Sequence, residues 1–161
     1  MKKIFGAIVL MMALTLFFTG CGLTVPRPEI KSGEFDITVT YEYNGEMKTA
    51  SGVYVCEYDG IIWWDINAED SVNWKESFEG DIQDDGIIPI CTTDDGAEIL
   101  ISLYLSPEYF MGDPECVDWT PRVQAELWYP DDQIDDAALI AEYGVRLISY
   151  ECDEPIKNVF K

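Results

Sequence analysis

The chain reads as a mainly β domain, an antiparallel β-sandwich of immunoglobulin-like arrangement with one short helix near the C-terminus; a small antiparallel β-barrel is the alternative. Three observations carry this reading. Residues 35–43, FDITVTYEY, alternate apolar and polar side chains over their whole length; several further short apolar or alternating runs follow, spaced by turn residues; and only one stretch, AALIAEY at 137–143, has helical character.

In the first run, Phe35, Ile37, Val39, Tyr41 and Tyr43 alternate with Asp36, Thr38, Thr40 and Glu42, which predicts a strand with one face buried and one wet. Asn44-Gly45 follows at once, the dipeptide that best tolerates the positive φ angles of a type I′ hairpin turn. Counting back from that turn opposes Val39 with Ala50, Ile37 with Gly52 and Phe35 with Tyr54, so Cys56 continues on the inward face between Tyr54 and Tyr58. A bulge at Gly52 would shift that phase by one residue. IIWWDI (61–66) and IIPIC (87–91) are short apolar runs that read as strands. AEILISLYL (97–105) alternates Ile99, Ile101, Leu103 and Leu105, and the turn residues Thr93-Asp94-Asp95-Gly96 stand before it. RVQAELWY (122–129) and VRLISYEC (145–152) complete the strands. Between them Asp131 or Asp132 is placed to cap a helix that Gly144 ends, and Asp131, Asp132, Asp135 and Asp136 fall near its first turn, where they favour the helix dipole. No internal repeat and no second domain is read.

The N-terminus has a different character. Lys2 and Lys3 precede an uncharged apolar run, residues 4–19, and then Gly20-Cys21. This is the layout of a secretory signal peptide, and a run of 16 is short for a helix that must cross about 30 Å of hydrocarbon. An A-x-A-like cleavage site is absent, whereas Phe18-Thr19-Gly20-Cys21 resembles a bacterial lipobox. That resemblance implies diacylglycerol attachment to the Cys21 thiol and cleavage between Gly20 and Cys21, leaving a chain anchored in the cell membrane on its extracytoplasmic face. Two acyl chains give stable anchoring, at about 0.8 kcal/mol per buried methylene, where one gives little. The expected organisation is a signal peptide over residues 1–20, a lipidated cysteine and flexible tether over 21–33, and an acidic β domain over 34–161. The twelve residues after Cys21 contain two prolines and two glycines and reach at most about 40 Å.

The whole chain carries a formal charge of −21, and loss of Lys2 and Lys3 with the signal peptide moves this to −23. A charge of that sign disfavours nucleic acid as a partner, and disfavours electrostatic adsorption of the domain to anionic lipid. Removing Cys21 from the five cysteines leaves Cys56, Cys91, Cys116 and Cys152, which permit two disulfides in three connectivities or four buried thiols.

The segments GVYVCEYDG (52–60), SPEYFMGDPE (106–115) and LISYECDEPI (147–156) resemble a group of lipoproteins of low-GC Gram-positive bacteria. The resemblance implies a lipid-anchored β domain and carries over no catalytic residue.

Chemistry is sparsely signalled. The chain has no histidine, which excludes Ser-His-Asp and Cys-His nucleophile systems in their usual forms and leaves zinc poorly supported. Its 31 acidic residues make coincidental carboxylate pairs unavoidable, so such pairs do not identify a hydrolase. DIQDDG (81–86) has the opening of a calcium loop, but Gln83 occupies its third position and Thr92 its twelfth, so it reads as a turn. No catalytic, metal or cofactor residue is assigned, and no cofactor is expected. Binding is the better-supported class. Trp63 and Trp64 point to opposite faces of a strand, leaving one of them free to meet a ligand. The 16-residue connection 106–121 holds Tyr109, Phe110, Met111 and Trp119, the content of either a packed Ω-loop or a ligand-facing lip. The expected function is a binding or interaction module for an envelope protein, peptide or glycan; a carbohydrate-binding module and a carboxylate-dependent hydrolase are the alternatives.

Overall fold

Asn44 and Gly45 turn the chain with φ of 52° and 81°, both positive as a type I′ turn requires. In the computed structural model, which describes residues 25–62, 71–94, 96–114, 116, 118–128, 133–134 and 137–161, they join β1 (Ser32–Tyr43) to β2 (Glu46–Ile62). The register is the one counted from the turn: Val39 faces Ala50, Ile37 faces Gly52 and Phe35 faces Tyr54, with no slip at Gly52. A single turn thus sets which side chains of both strands enter the core, and Phe35, Ile37, Val39, Ala50, Tyr54 and Cys56 are all buried.

β2 is longer than expected. After an irregularity between Tyr58 and Ile61 it continues to Ile62, so Ile61 and Ile62 end this strand rather than open a new one; the rest of IIWWDI, with Trp63 and Trp64, lies outside the described residues. β3 (Ser71–Gly80) then returns along β2. It is absent from the sequence reading, and Glu76 explains why. Trp74, Glu76 and Phe78 share one face, so a charge interrupts the apolar alternation where a core residue is expected. β3 is an edge strand, and the Glu76 carboxylate accepts a hydrogen bond from the buried Tyr54 hydroxyl. An inward charge on an edge also discourages pairing with another chain.

The second sheet holds β4 (Ile87–Thr92), β5 (Glu98–Tyr104), β6 (Arg122–Trp128) and the two-residue β7 (Gln133–Ile134). DIQDDG forms the turn into β4: Ile82 is buried, and the Gly86 amide donates to the Gln83 carbonyl. Thr93 closes the β4–β5 turn, its hydroxyl accepting from the Ala97 amide at 3.0 Å. Among the described residues are the short helix expected near the C-terminus and a further one-turn helix in the 106–121 connection. α1 (Pro107–Phe110) is capped by Ser106, whose side chain accepts from the Tyr109 amide, and α2 (Ala137–Glu142) is followed by Gly144 at φ 74°. The proposed capping aspartates lie outside the described residues. β8 (Val145–Cys152) crosses back to pair with β1.

The sheets have strand orders β3-β2-β1-β8 and β4-β5-β6-β7, all pairings antiparallel. They do not close on each other, so the architecture is the sandwich and not the barrel. It shares two packed antiparallel sheets with immunoglobulin domains, while its strand order is that of two successive meanders with β8 returned to the first sheet. The main core lies between them: Phe35, Tyr54 and Phe78 from one side meet Ile88, Ile101 and Val123 from the other. A smaller cluster of Ala97, Ile99, Leu127, Ile140 and Val145 seals the end beneath α2.

The domain also begins earlier than the boundary expected at Glu34. Arg27 and Lys161 exchange both backbone hydrogen bonds, the Glu29 amide donates to the Val159 carbonyl, and the Asn158 side chain bonds both the amide and the carbonyl of Ile30. Pro28 is buried in this ribbon. Residues 27–33, expected in the tether, therefore pack with the β domain. Among the described residues no helix is long and apolar enough to cross a membrane.

Candidate functional site

The alternation of β5 and β6 sends Ile99, Ile101, Leu103, Val123 and Leu127 toward the cores, and turns Leu100, Ser102, Tyr104, Gln124, Glu126 and Trp128 to the opposite face. That outer face should be wet. Instead Leu100 and Ser102 are buried and Glu126 is 0 % exposed. A carboxyl removed from water must recover its lost hydration through hydrogen bonds, and Glu126 has three donors. The Ser102 hydroxyl at 2.8 Å and the Trp128 indole N–H at 2.7 Å both donate to Oε2, and the Tyr104 hydroxyl donates to Oε1. Arg122 lies over the Tyr104 ring, 5.5 Å from its centre, which continues the network along the sheet.

Trp128 is the outer member of this group. Its N–H is fixed by Glu126 while the indole remains 38 % exposed and forms part of the wall of a groove of about 480 Å³. The groove follows the β4 edge of the second sheet. Ile87, Pro89 and Leu100 supply its apolar surface, Gln83, Asp85 and Glu98 its polar surface, and no lysine or arginine is among its described lining residues. Glu126 is not among them either; it holds the wall from beneath. Pro89 has no N–H to offer at this edge, which weakens it as a template for an added strand.

The aromatic residues singled out from sequence have other places. Phe110 is 0 % exposed, its ring centre 4.8 Å from that of Phe35 and 5.4 Å from that of Tyr54, so it is a core residue and not a ligand-facing one. Tyr109 stacks edge-on against Phe110 and contacts Trp119 at 5.5 Å, which ties the half-buried pair to the packed loop. The described part of the 106–121 connection is thus packed onto the core, with Met111 buried beside Phe110. Trp63 and Trp64 lie outside the described residues, as does Cys21. The residue that sequence reasoning passed over is Trp128. The signal was available: alternation in RVQAELW places Glu126 and Trp128 on one face, next to an apolar Leu100 on what should be the wet side of β5.

The four remaining cysteines are free thiols. Cys56 pairs with Gly33 and Cys152 with Ile37, four residues apart along the intervening β1. That is about 13 Å of strand plus two strand spacings, well beyond the roughly 7 Å that a disulfide spans between Cα atoms. The Cys91 thiol sits against the Tyr43 hydroxyl, near the other end of β1, and its hydrogen bond raises the Tyr43 pKa. Cys116 approaches the Ser106 hydroxyl at 3.5 Å. Burial, reinforced by the carboxylates of Glu76 and Glu108, pushes the Cys56 thiol up to about 12, so it stays protonated and non-nucleophilic at neutral pH. Burial also raises Cys152, with Glu154 and Asp153 adding to the effect. Among the described residues no group of three or more acidic or cysteine side chains is placed to hold a metal ion.

Compared with family models, curated proteins and solved structures, the chain matches none.

Proposed function

We propose that the chain is a membrane-anchored extracytoplasmic lipoprotein whose β domain binds a protein, peptide or glycan of the cell envelope in the groove beside Trp128. Anchoring is supported by the residues around Cys21, and binding by one observation above the rest. Glu126, buried on the face turned away from the core, is committed to Ser102, Tyr104 and Trp128, and so holds an indole at the groove wall. An aromatic platform fixed in advance loses little freedom when a ligand arrives, which is what preorganised sites have in common. Asp85 and Glu98 in the lining, with no described basic residue beside them, favour an uncharged or cationic ligand and disfavour anionic polymers, nucleic acid included.

The exposed indole also favours the carbohydrate-binding reading, since an aromatic face can stack on a sugar ring. The hydrolase reading has weaker support, because the buried carboxyl is bonded to three donors and lies outside the groove lining. Calorimetric titration of the purified full chain with neutral cell-wall oligosaccharides and with short lysine-containing peptides tests the site. One class should bind, and Trp128→Ala should weaken it at least about tenfold, or roughly 1.4 kcal/mol. Failure of both classes to bind, or binding indifferent to Trp128→Ala, contradicts the proposal.

A further inference from the structure

The antiparallel ribbon of residues 27–31 and 156–161 has a composition unlike the rest of the domain. Of the chain's ten lysines and arginines, Lys2 and Lys3 belong to the expected signal peptide, and four of the other eight are Arg27, Lys31, Lys157 and Lys161 in this ribbon. All four are exposed. The ribbon's one acidic side chain is Glu29, and it is paired with Lys161. Two large apolar side chains stand out to solvent beside these cations, Ile30 at 42 % and Val159 at 50 % exposure. Cations with exposed apolar side chains between them are the pattern of a surface that meets a bilayer, the charges at the headgroups and the apolar groups at the boundary below.

Its position fits the same partner. The ribbon is where the described chain begins, and six peptide units separate Cys21 from Arg27, so this end cannot lie more than about 20 Å from a lipid on Cys21. That is roughly half the length of the twelve-residue β1, about 40 Å, so the ribbon is the part of the domain held at the bilayer. A lipid tether this short keeps the local concentration of headgroups high, so a few weak charge contacts can set orientation although they could not hold the domain to a membrane unaided.

We propose that this ribbon is a docking surface for anionic phospholipid headgroups, which turns the acidic remainder of the domain, with the Trp128 groove, away from the bilayer. The inference rests on lipidation at Cys21 and is independent of the groove's ligand. The net charge that disfavours adsorption of the domain as a whole is what makes the orientation one-sided.

Lysine footprinting of the full chain reconstituted in vesicles tests this. With an amine-reactive reagent at physiological ionic strength, Lys31, Lys157 and Lys161 should label several-fold less on phosphatidylglycerol vesicles than on phosphatidylcholine vesicles, while Lys48 and Lys75 label equally on both. The double variant Lys157→Glu, Lys161→Glu should lose the difference at Lys31. Equal labelling of the ribbon lysines on the two lipids, or protection shared by Lys48 and Lys75, overturns the proposal. Retention of the chain on vesicles at about 1 M salt, where screening acts within about 3 Å, reports the lipid anchor separately. Retention without a footprint leaves the anchor standing and overturns the ribbon; loss of the chain from the vesicles at that salt overturns the anchor and, with it, the ribbon's role as a docking surface beside a tether.

Discussion

Phe110→Ala should lower the unfolding free energy by about 4 kcal/mol, within the range of roughly 3 to 5 kcal/mol for emptying a buried phenylalanine site. The ring is fully buried and touches both Phe35 and Tyr54, so its loss leaves a cavity at the end of the main core. The backbone cannot easily close that cavity. The Phe110 carbonyl accepts from the Ile156 amide, and Gly112, at φ 66°, lies so close to the Ile156 carbonyl that an added Cβ would sit 2.4 Å from it. The loop is therefore held from two sides while the side chain is removed. In a domain whose total stability is of order 5 to 15 kcal/mol, this is a large fraction, and denaturant unfolding will show it as a displaced midpoint at unchanged slope. A loss below about 1 kcal/mol would mean that the loop is a surface lip.

Glu126→Ala is the second large effect, and its origin is polar. Removing the carboxyl takes the partner from the buried Ser102 hydroxyl, from the half-buried Tyr104 hydroxyl and from the exposed Trp128 indole. A buried donor left without an acceptor costs about 1 to 3 kcal/mol, and the two more accessible donors can recruit water, so a loss of about 3 kcal/mol is expected. Glu126→Gln keeps the shape and one acceptor oxygen but turns an N–H toward the donors, and should lose less. Equilibrium unfolding of both variants checks the order. If Glu126→Leu were as stable as the native chain, the carboxyl would not be organising this face, and the argument for a fixed Trp128 would fail with it.

Much of the fold is written locally in the sequence, because a turn and a period of two determine it. Asn44-Gly45 sets the β1–β2 register, and that register decides which side chains fill one wall of the core. What was not legible depends on contacts distant in sequence. Glu76 hides β3 because its reason for facing inward is the Tyr54 hydroxyl, 22 positions away. The early start of the domain depends on pairing of residues 27–31 with 157–161, and Pro26 and Pro28 read locally as linker. The candidate site is similar. Trp128 reads as an ordinary strand residue until β5 is laid beside β6 and brings Ser102 and Tyr104 to Glu126. The aromatic-rich loop drew attention because apolar residues in a long connection have two readings, and only the position of Phe110 between the sheets separates them.

The proposed lipidation of Cys21 carries the proposed compartment, the even number of remaining cysteines and the short reach of the ribbon from the bilayer. Mass spectrometry of the chain recovered from the membrane fraction tests it directly. The expected result is a mature protein that begins at Cys21 and carries a diacylglyceryl thioether there, and a Cys21→Ser variant that lacks this modification. A membrane-bound chain that still carries residues 1–20, or a mature N-terminus at any other position without lipid, would contradict it.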